Sequence, residues 1–158
     1  MKSKIFLFLL SIVSFQSLSA QNEEYQEIEF KKIAEGVDSP IPDLQIVCFN
    51  KFFNKDYLPE KFSEKYGLTD RSLFKKKMLV EIFQSDQEGT GIDKIEIVKI
   101  LEGKENIQIE YRLINENPNK DDQKLAPFII VQIPKSKKKI QFIKDGSDLG
   151  QVQKAYVD

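Results

Sequence analysis

The chain has 158 residues, 41% of them hydrophobic, and its 24 basic and 25 acidic residues give a formal net charge of −1. This size suits one domain with its own core, and such a near-balanced charge predicts no electrostatic footprint for nucleic acid or for an anionic membrane. The chain has no histidine, which excludes catalytic triads and zinc sites that depend on imidazole. Its one cysteine, Cys48, excludes an intramolecular disulfide. The apolar neighbours of Cys48 predict a buried and chemically passive thiol.

The first twenty residues have the pattern of a secretory signal peptide. Lys2 and Lys4 precede an apolar run in residues 5–13, and small residues follow as far as Ala20. The apolar run is shorter than the roughly 20 residues that cross a bilayer. We therefore expect cleavage between Ala20 and Gln21, with a retained signal anchor as the alternative. The expected location is secreted or periplasmic, and residues 21–158 form one domain with its core at about 28–143.

Alternating polar and apolar residues predict about six strands. The clearest is residues 107–114, in which apolar side chains at every second position share one face. The other predicted strands lie in residues 27–33, 78–83, 95–101, 127–134 and 140–143. Within residues 95–101 the alternation changes face between Ile97 and Val98, which predicts a β-bulge or burial on both sides. Gly103 lies in the short hairpin loop that we expect before residue 107.

One segment departs from this alternation and predicts helices. Residues 50–67 carry aromatic side chains at roughly helical spacing, at Phe52, Phe53, Tyr57, Phe62 and Tyr66. Asn50 suits the start of one helix, Pro59 the first turn of a second, and Gly67 its end. A short turn or helix follows from Asp70. We therefore predict an α+β fold, a predominantly antiparallel sheet with a helical excursion packed on it. The polar tail, residues 144–158, is expected to be loosely attached.

The stretch QSDQEGTGIDKIEI, residues 84–97, looks most like a site. Phosphate-binding glycine loops lead into a helix, whereas a strand pattern follows here, and the acidic spacing does not match a calcium loop. We interpret the stretch as a loop that contacts a protein partner, without catalytic, metal or cofactor role. Its candidate contact residues are Asp86, Glu88, Thr90, Gly91 and Asp93. A second polar stretch, with Lys135 and three lysines at 137–139, is interpreted as a solvated hairpin turn.

The order of these motifs resembles the PrcB family, named for a subunit of a secreted bacterial protease complex. Members typically show a T-G-G-Y loop followed by a strand, and a late strand with proline and an aromatic residue at its start and proline at its end. Thr90 and Gly91 match the loop, and Pro127, Phe128 and Pro134 match the late strand. Ile92 and Asp93 replace the second glycine and the tyrosine. The resemblance covers roughly residues 30–142 and implies a non-catalytic accessory role beside a secreted partner such as a protease.

Two alternatives from other functional classes stay open on the sequence. One is a histidine-free hydrolase that works through carboxylates such as Asp86 and Glu88. The other is a small-ligand or glycan binder that uses Tyr57, Tyr66 or Tyr111. An enzyme needs its acidic residues to converge in one concave pocket, whereas an interaction module presents an exposed surface or sheet edge.

Overall fold

The computed structural model describes residues 24–85, 89–116, 124–151 and 154–155. They form two five-stranded sheets and a small helical layer. The first sheet has the strand order β1-β5-β6-β8-β9. Its strands are β1 Gln26–Glu27, β5 Lys94–Glu102, β6 Asn106–Ile114, β8 Lys139–Lys144 and β9 Ser147–Gln151.

The second sheet has the order β10-β3-β4-β7-β2. Its strands are β2 Lys31–Gly36, β3 Leu44–Cys48, β4 Lys77–Phe83, β7 Phe128–Pro134 and β10 Lys154–Ala155. Most neighbours in the two sheets are antiparallel, and the parallel pairs are β6 with β8 and β10 with β3. The predicted α+β class with a mainly antiparallel sheet is confirmed, although the described strands are divided between two sheets rather than gathered in one.

The main core lies between the two sheets. Apolar side chains from β4 and β7 in the second sheet meet those from β5, β6 and β8 in the first. The alternation in residues 107–114 places Ile107, Ile109 and Tyr111 in this core, all fully buried. The bulge predicted near Val98 is present as a shift of register between Ile97 and Lys99, so the side chains on either side of it can both point inward.

A second core lies between the outer face of the second sheet and the helices. The helices are α1 Phe52–Asp56, α2 Glu60–Lys65 and a 3₁₀ helix, Arg71–Phe74. The predicted boundaries lie close to the observed ones. Lys51 is the N-cap of α1, and Asn50 before it accepts a hydrogen bond from the Phe52 amide. Pro59 is the N-cap of α2 and not part of its first turn, and Gly67 follows α2 with φ +64°. Phe62 packs edge-on against Phe128 of β7, with 5.0 Å between ring centroids.

The structure contains a strand that was not predicted, β3, and it differs from the strand predictions at three places where the chain changes sheet or direction. Residues 27–33 form two strands instead of one, because the chain passes from the first sheet to the second at residues 28–30. The expected hairpin at the lysine stretch instead connects β7 to β8 in the other sheet. Part of the expected loose tail forms β9, joined to β8 by Asp145 and Gly146 with φ 49° and 78°. Among the described residues, no helix is long and apolar enough to cross a membrane.

Candidate functional site

The stretch singled out from the sequence lies at one end of the two-sheet sandwich, which we call the loop end. Here β4 ends and β5 begins in the other sheet, so residues 84–93 connect the two sheets. Strands β6 and β8 also end here, as does β2. The described residues of the loop end are 37–43, 84–85, 89–93, 115–116, 124–127 and 144–146.

The described part of the connecting loop contains an exposed turn built on glycine, and we call its exposed residues, 89 and 90, the loop tip. Gly89 and Gly91 have φ of +76° and +65°, which glycine adopts readily. Gly89 and Thr90 are exposed, and the Thr90 hydroxyl accepts a hydrogen bond from the Ile92 amide at 3.2 Å. Strand β5 follows, not a helix, so the geometry of a phosphate-binding loop is missing from residues 89–97. Asp86 and Glu88 lie outside the described residues.

Asp93 supports the loop instead of lying at its tip. Its side chain is 8% exposed, and its carboxylate accepts a hydrogen bond from the Glu116 amide at 2.8 Å. The Asp93 amide donates to the Ile114 carbonyl at 3.1 Å. Lys94 and Glu116 form an ion pair next to these bonds. The loop tip is therefore carried on a stem fixed to the end of β6.

Polar side chains also tie the two sheets together at the loop end. Lys144, at the end of β8, donates to the side-chain oxygen of buried Gln84 at 3.1 Å. The next residue, Ser85, donates its backbone amide to the Asp43 carboxylate and accepts a hydrogen bond from the Asp43 amide through its hydroxyl. The Lys144 bond links the two sheets, and the Ser85–Asp43 bonds join β3 to β4 within the second sheet, at the point from which the loop leaves.

The three tyrosines considered for ligand binding lie in different surroundings. Tyr111 is fully buried between the sheets, and its hydroxyl has no hydrogen-bond partner among the described residues. Burial, and then the charges of Asp145 and Asp43, raise the pKa of this phenol well above its ordinary value. Tyr66 is half-buried and edge-on to Phe62, whereas Tyr57 is 59% exposed and stacked on Phe53. The structure does not bring the three together as a binding platform.

The most unusual group for its surroundings is the carboxyl of Glu81. It projects from the middle of β4 into the core beneath the helices and is fully buried. Its β-sheet neighbours are Ile46 and Ile130, and neither carboxyl oxygen has a hydrogen-bond partner among the described side chains and backbone. Burial raises the pKa of Glu81 from 4.5 to about 7, although Asn54 and Cys48 beside it oppose part of the shift. The group is therefore neutral in mildly acidic solution.

Asn54 and Cys48 complete this buried polar cluster. The side-chain amide of Asn54 donates to the Leu68 carbonyl at 3.2 Å, and its backbone carbonyl accepts from the Ser63 hydroxyl at 2.6 Å. The Cys48 thiol is 3.9 Å from the Asn54 side-chain oxygen. The prediction of a buried Cys48 is confirmed at 1% exposure, and burial, with Glu81 nearby, raises the pKa of the thiol. The cluster thus joins β3 and β4 to the helical layer.

The sequence contained a signal for this cluster that was not used to predict a site. Glu81 interrupts the apolar residues of β4, and a charged residue within a buried strand marks a place where burial and ionisation conflict. Among the described residues, no group of three or more acidic or cysteine side chains is placed to hold a metal ion. Comparison with family models, curated proteins and solved structures finds no match to this chain.

Proposed function

We propose that this chain is an exported, non-catalytic accessory protein that binds a protein partner through its loop end. The observation that supports the proposal best is the presentation of the loop tip. Gly89 and Thr90 are exposed, while Gly91 and Asp93 behind them are buried. A mobile tip would lose conformational entropy on binding, whereas a tip held on a fixed stem has less to lose. Binding residues are commonly found on such loops carried by a rigid scaffold.

The resemblance to the PrcB family supports the same function and suggests a partner class. Its matching residues, Thr90 and Gly91, form the turn at the loop tip, and Phe128 lies in the core beneath the helices. Asp93, which replaces the family tyrosine, holds the stem through the Glu116 amide. The family role implies a secreted protein partner, possible examples being proteases. Membership of the family stays a prediction.

Affinity capture with matched variants tests the proposed contact. The tagged protein, recovered after export, is incubated with the exported fraction of its own cells, and captured proteins are quantified against a variant. The variant Asp86→Ala, Glu88→Ala, Thr90→Ala leaves Asp93 intact, so the stem is kept. Lys61→Ala, Glu64→Ala on the exposed face of α2 is the control. We expect one captured protein to fall at least about tenfold with the loop variant and to stay constant with the control.

Equal capture by the loop variant and the wild type would place the contact surface elsewhere. Thermal unfolding of both variants accompanies the capture, because a loss of binding has meaning only when the domain stays folded. Export is tested separately by sequencing the N-terminus of the recovered protein, which we expect to begin at Gln21. Recovery of a chain that begins at Met1 would contradict cleavage.

A further inference from the structure

The end of the sandwich opposite the loop end collects lysines from three separate parts of the sequence. We call it the lysine end. Residues 75–77 lead into β4 and include its first residue, residues 135–139 comprise the connection from β7 and the first residue of β8, and residues 103–105 form the loop of the β5–β6 hairpin. Strand pairing brings the first two together, since Lys77 is the partner of Pro134. The lysines of this end are Lys75, Lys76, Lys77, Lys104, Lys135, Lys137, Lys138 and Lys139.

Hydrogen bonds fix these three segments relative to one another. The Lys135 amide donates to the Lys76 carbonyl at 3.2 Å, and the Lys139 amide donates to the Glu105 carbonyl at 3.1 Å. The Lys138 ammonium binds the Gly103 carbonyl at 2.8 Å and pairs with Glu102 at 2.9 Å. The positive charges are therefore set on a fixed surface formed by both sheets, not on independent loops.

The surface carries a marked surplus of positive charge. All of its lysines except Lys138 are exposed. The acidic side chains near it among the described residues include Glu102 and Glu105, with Glu24, Glu27 and Glu29 on the β1 side. The near-zero net charge of the chain conceals this surplus, because many of the balancing carboxylates lie elsewhere, including Asp38, Asp43, Asp93 and Asp145 at the loop end.

We propose that the lysine end docks on a membrane surface that carries anionic phospholipid headgroups. Clusters of lysine bind such surfaces through summed, diffuse attraction that needs no defined pocket. Every basic side chain in the three segments is lysine, which acts as a point charge without the planar fork of arginine. The segments contain no aromatic residue on which nucleobases would stack. These features favour a lipid surface over a nucleic acid.

The path of the chain supports the same orientation. Tyr25, just before β1, lies next to this end: its hydroxyl donates to the Asn106 side chain at 3.3 Å, beside the β5–β6 hairpin. In the sequence, the apolar run of residues 5–13 precedes this point. The lysine end therefore lies next to the point at which the chain that follows this run enters the domain. Docking through this end directs the loop end away from the lipid.

Cosedimentation with lipid vesicles tests the proposal. The protein recovered after export is mixed with vesicles of phosphatidylcholine alone or with about one third phosphatidylglycerol, at low and at high salt. We expect strong partition onto the anionic vesicles only, abolished by salt. Each lysine near such a surface changes the partition coefficient by about fivefold. Replacing Lys76, Lys104 and Lys139 by glutamine should therefore lower it on the order of 100-fold.

The control variant, Lys61→Gln, Lys65→Gln, Lys99→Gln, removes the same amount of charge from other surfaces. We expect its partition coefficient on anionic vesicles to change by less than about threefold. Arginine at positions 76, 104 and 139 should keep the binding, which separates lost charge from lost structure. Equal partition onto both kinds of vesicle, or equal loss in the test and control variants, would overturn the proposal. Binding to heparin or to DNA without partition onto anionic vesicles would overturn it as well.

Discussion

Replacement of Glu81 by glutamine should alter how the free energy of unfolding depends on pH. Below the ordinary pKa of 4.5 the carboxyl is protonated in both folded and unfolded chains. Between pH 4.5 and about 7 the unfolded chain releases its proton while the folded chain retains it. The unfolded state then binds fewer protons, so stability falls as pH rises. Above about 7 both states are ionised and the loss is complete.

The size of this loss follows from the width of the interval. One pKa unit corresponds to about 1.4 kcal/mol, so the shift from 4.5 to about 7 removes about 3 kcal/mol of stability from the wild type. Glutamine has nearly the same shape and does not ionise. The Glu81→Gln variant starts with a constant penalty, because its amide brings one more N–H donor into a fully buried site whose polar neighbours include Asn54 and Cys48. As the pH rises from about 4.5 to about 7.5, the free energy of unfolding of the variant should therefore increase by about 3 kcal/mol relative to that of the wild type.

Urea unfolding at several pH values across this interval measures the difference. The difference in unfolding free energy between the wild type and the variant removes the contributions of the other titrating groups. One such group is Asp70, whose pKa is lowered by hydrogen bonds that it accepts from Ser72. Glu64→Gln on the exposed side of α2 is the matched control. The difference in unfolding free energy between this variant and the wild type should not change with pH. A flat difference for Glu81→Gln as well would refute the reasoning, since the folded and unfolded carboxyls would then share one pKa.

Four further variants test the packing and the loop stem. Cys48→Ser should lower stability by about 1 to 3 kcal/mol in urea unfolding, because the shorter serine side chain buries a hydroxyl that lies farther from Asn54 than the thiol does. The native Cys48 thiol should resist labelling near neutral pH. Asp93→Ala should lower it by about 1 to 3 kcal/mol by leaving the Glu116 amide without its partner, whereas Thr90→Ala should change it by less than about 0.5 kcal/mol. Phe128→Ala should cost about 3 to 5 kcal/mol, and a smaller loss would contradict its place in the core.

The sequence predicted the parts of the fold that depend on local patterns. Alternation identified β6, and the change of face at Val98 identified the bulge of β5, because both depend only on which side of one strand is apolar. The helical segment was identified from Asn50, Pro59 and Gly67, whose conformational preferences act within a few residues. Asp145–Gly146 was a further local signal, typical of a two-residue hairpin turn, and was not used.

The assignment of strands to two sheets was not available from these patterns. Alternation shows that a strand has a buried face but not which strand lies beside it, and a one-sheet arrangement satisfies the same alternation. The break at residues 28–30 was missed for the same reason. Ile28 and Phe30 fit one continuous alternating strand, and only the pairing of β1 with β5 and of β2 with β7 shows that there are two. Asp93 was expected at the loop tip for a similar reason. Its support of the stem depends on Glu116, 23 residues away.

The chain crosses between its sheets at both ends of the sandwich, and the length of each crossing bears on what that end can do. At the lysine end the crossings are short, residues 28–30 and 135–138. They stay close to the paired strands, so the lysines of residues 135–138 are fixed in a surface suited to attraction without shape recognition. At the loop end the crossings are longer, residues 84–93 and 115–127. Longer connections can present a shaped surface, as protein recognition requires. Because packing of the core does not directly constrain the residues in either kind of crossing, one chain with a net charge near zero can have a lysine-rich end and a loop end.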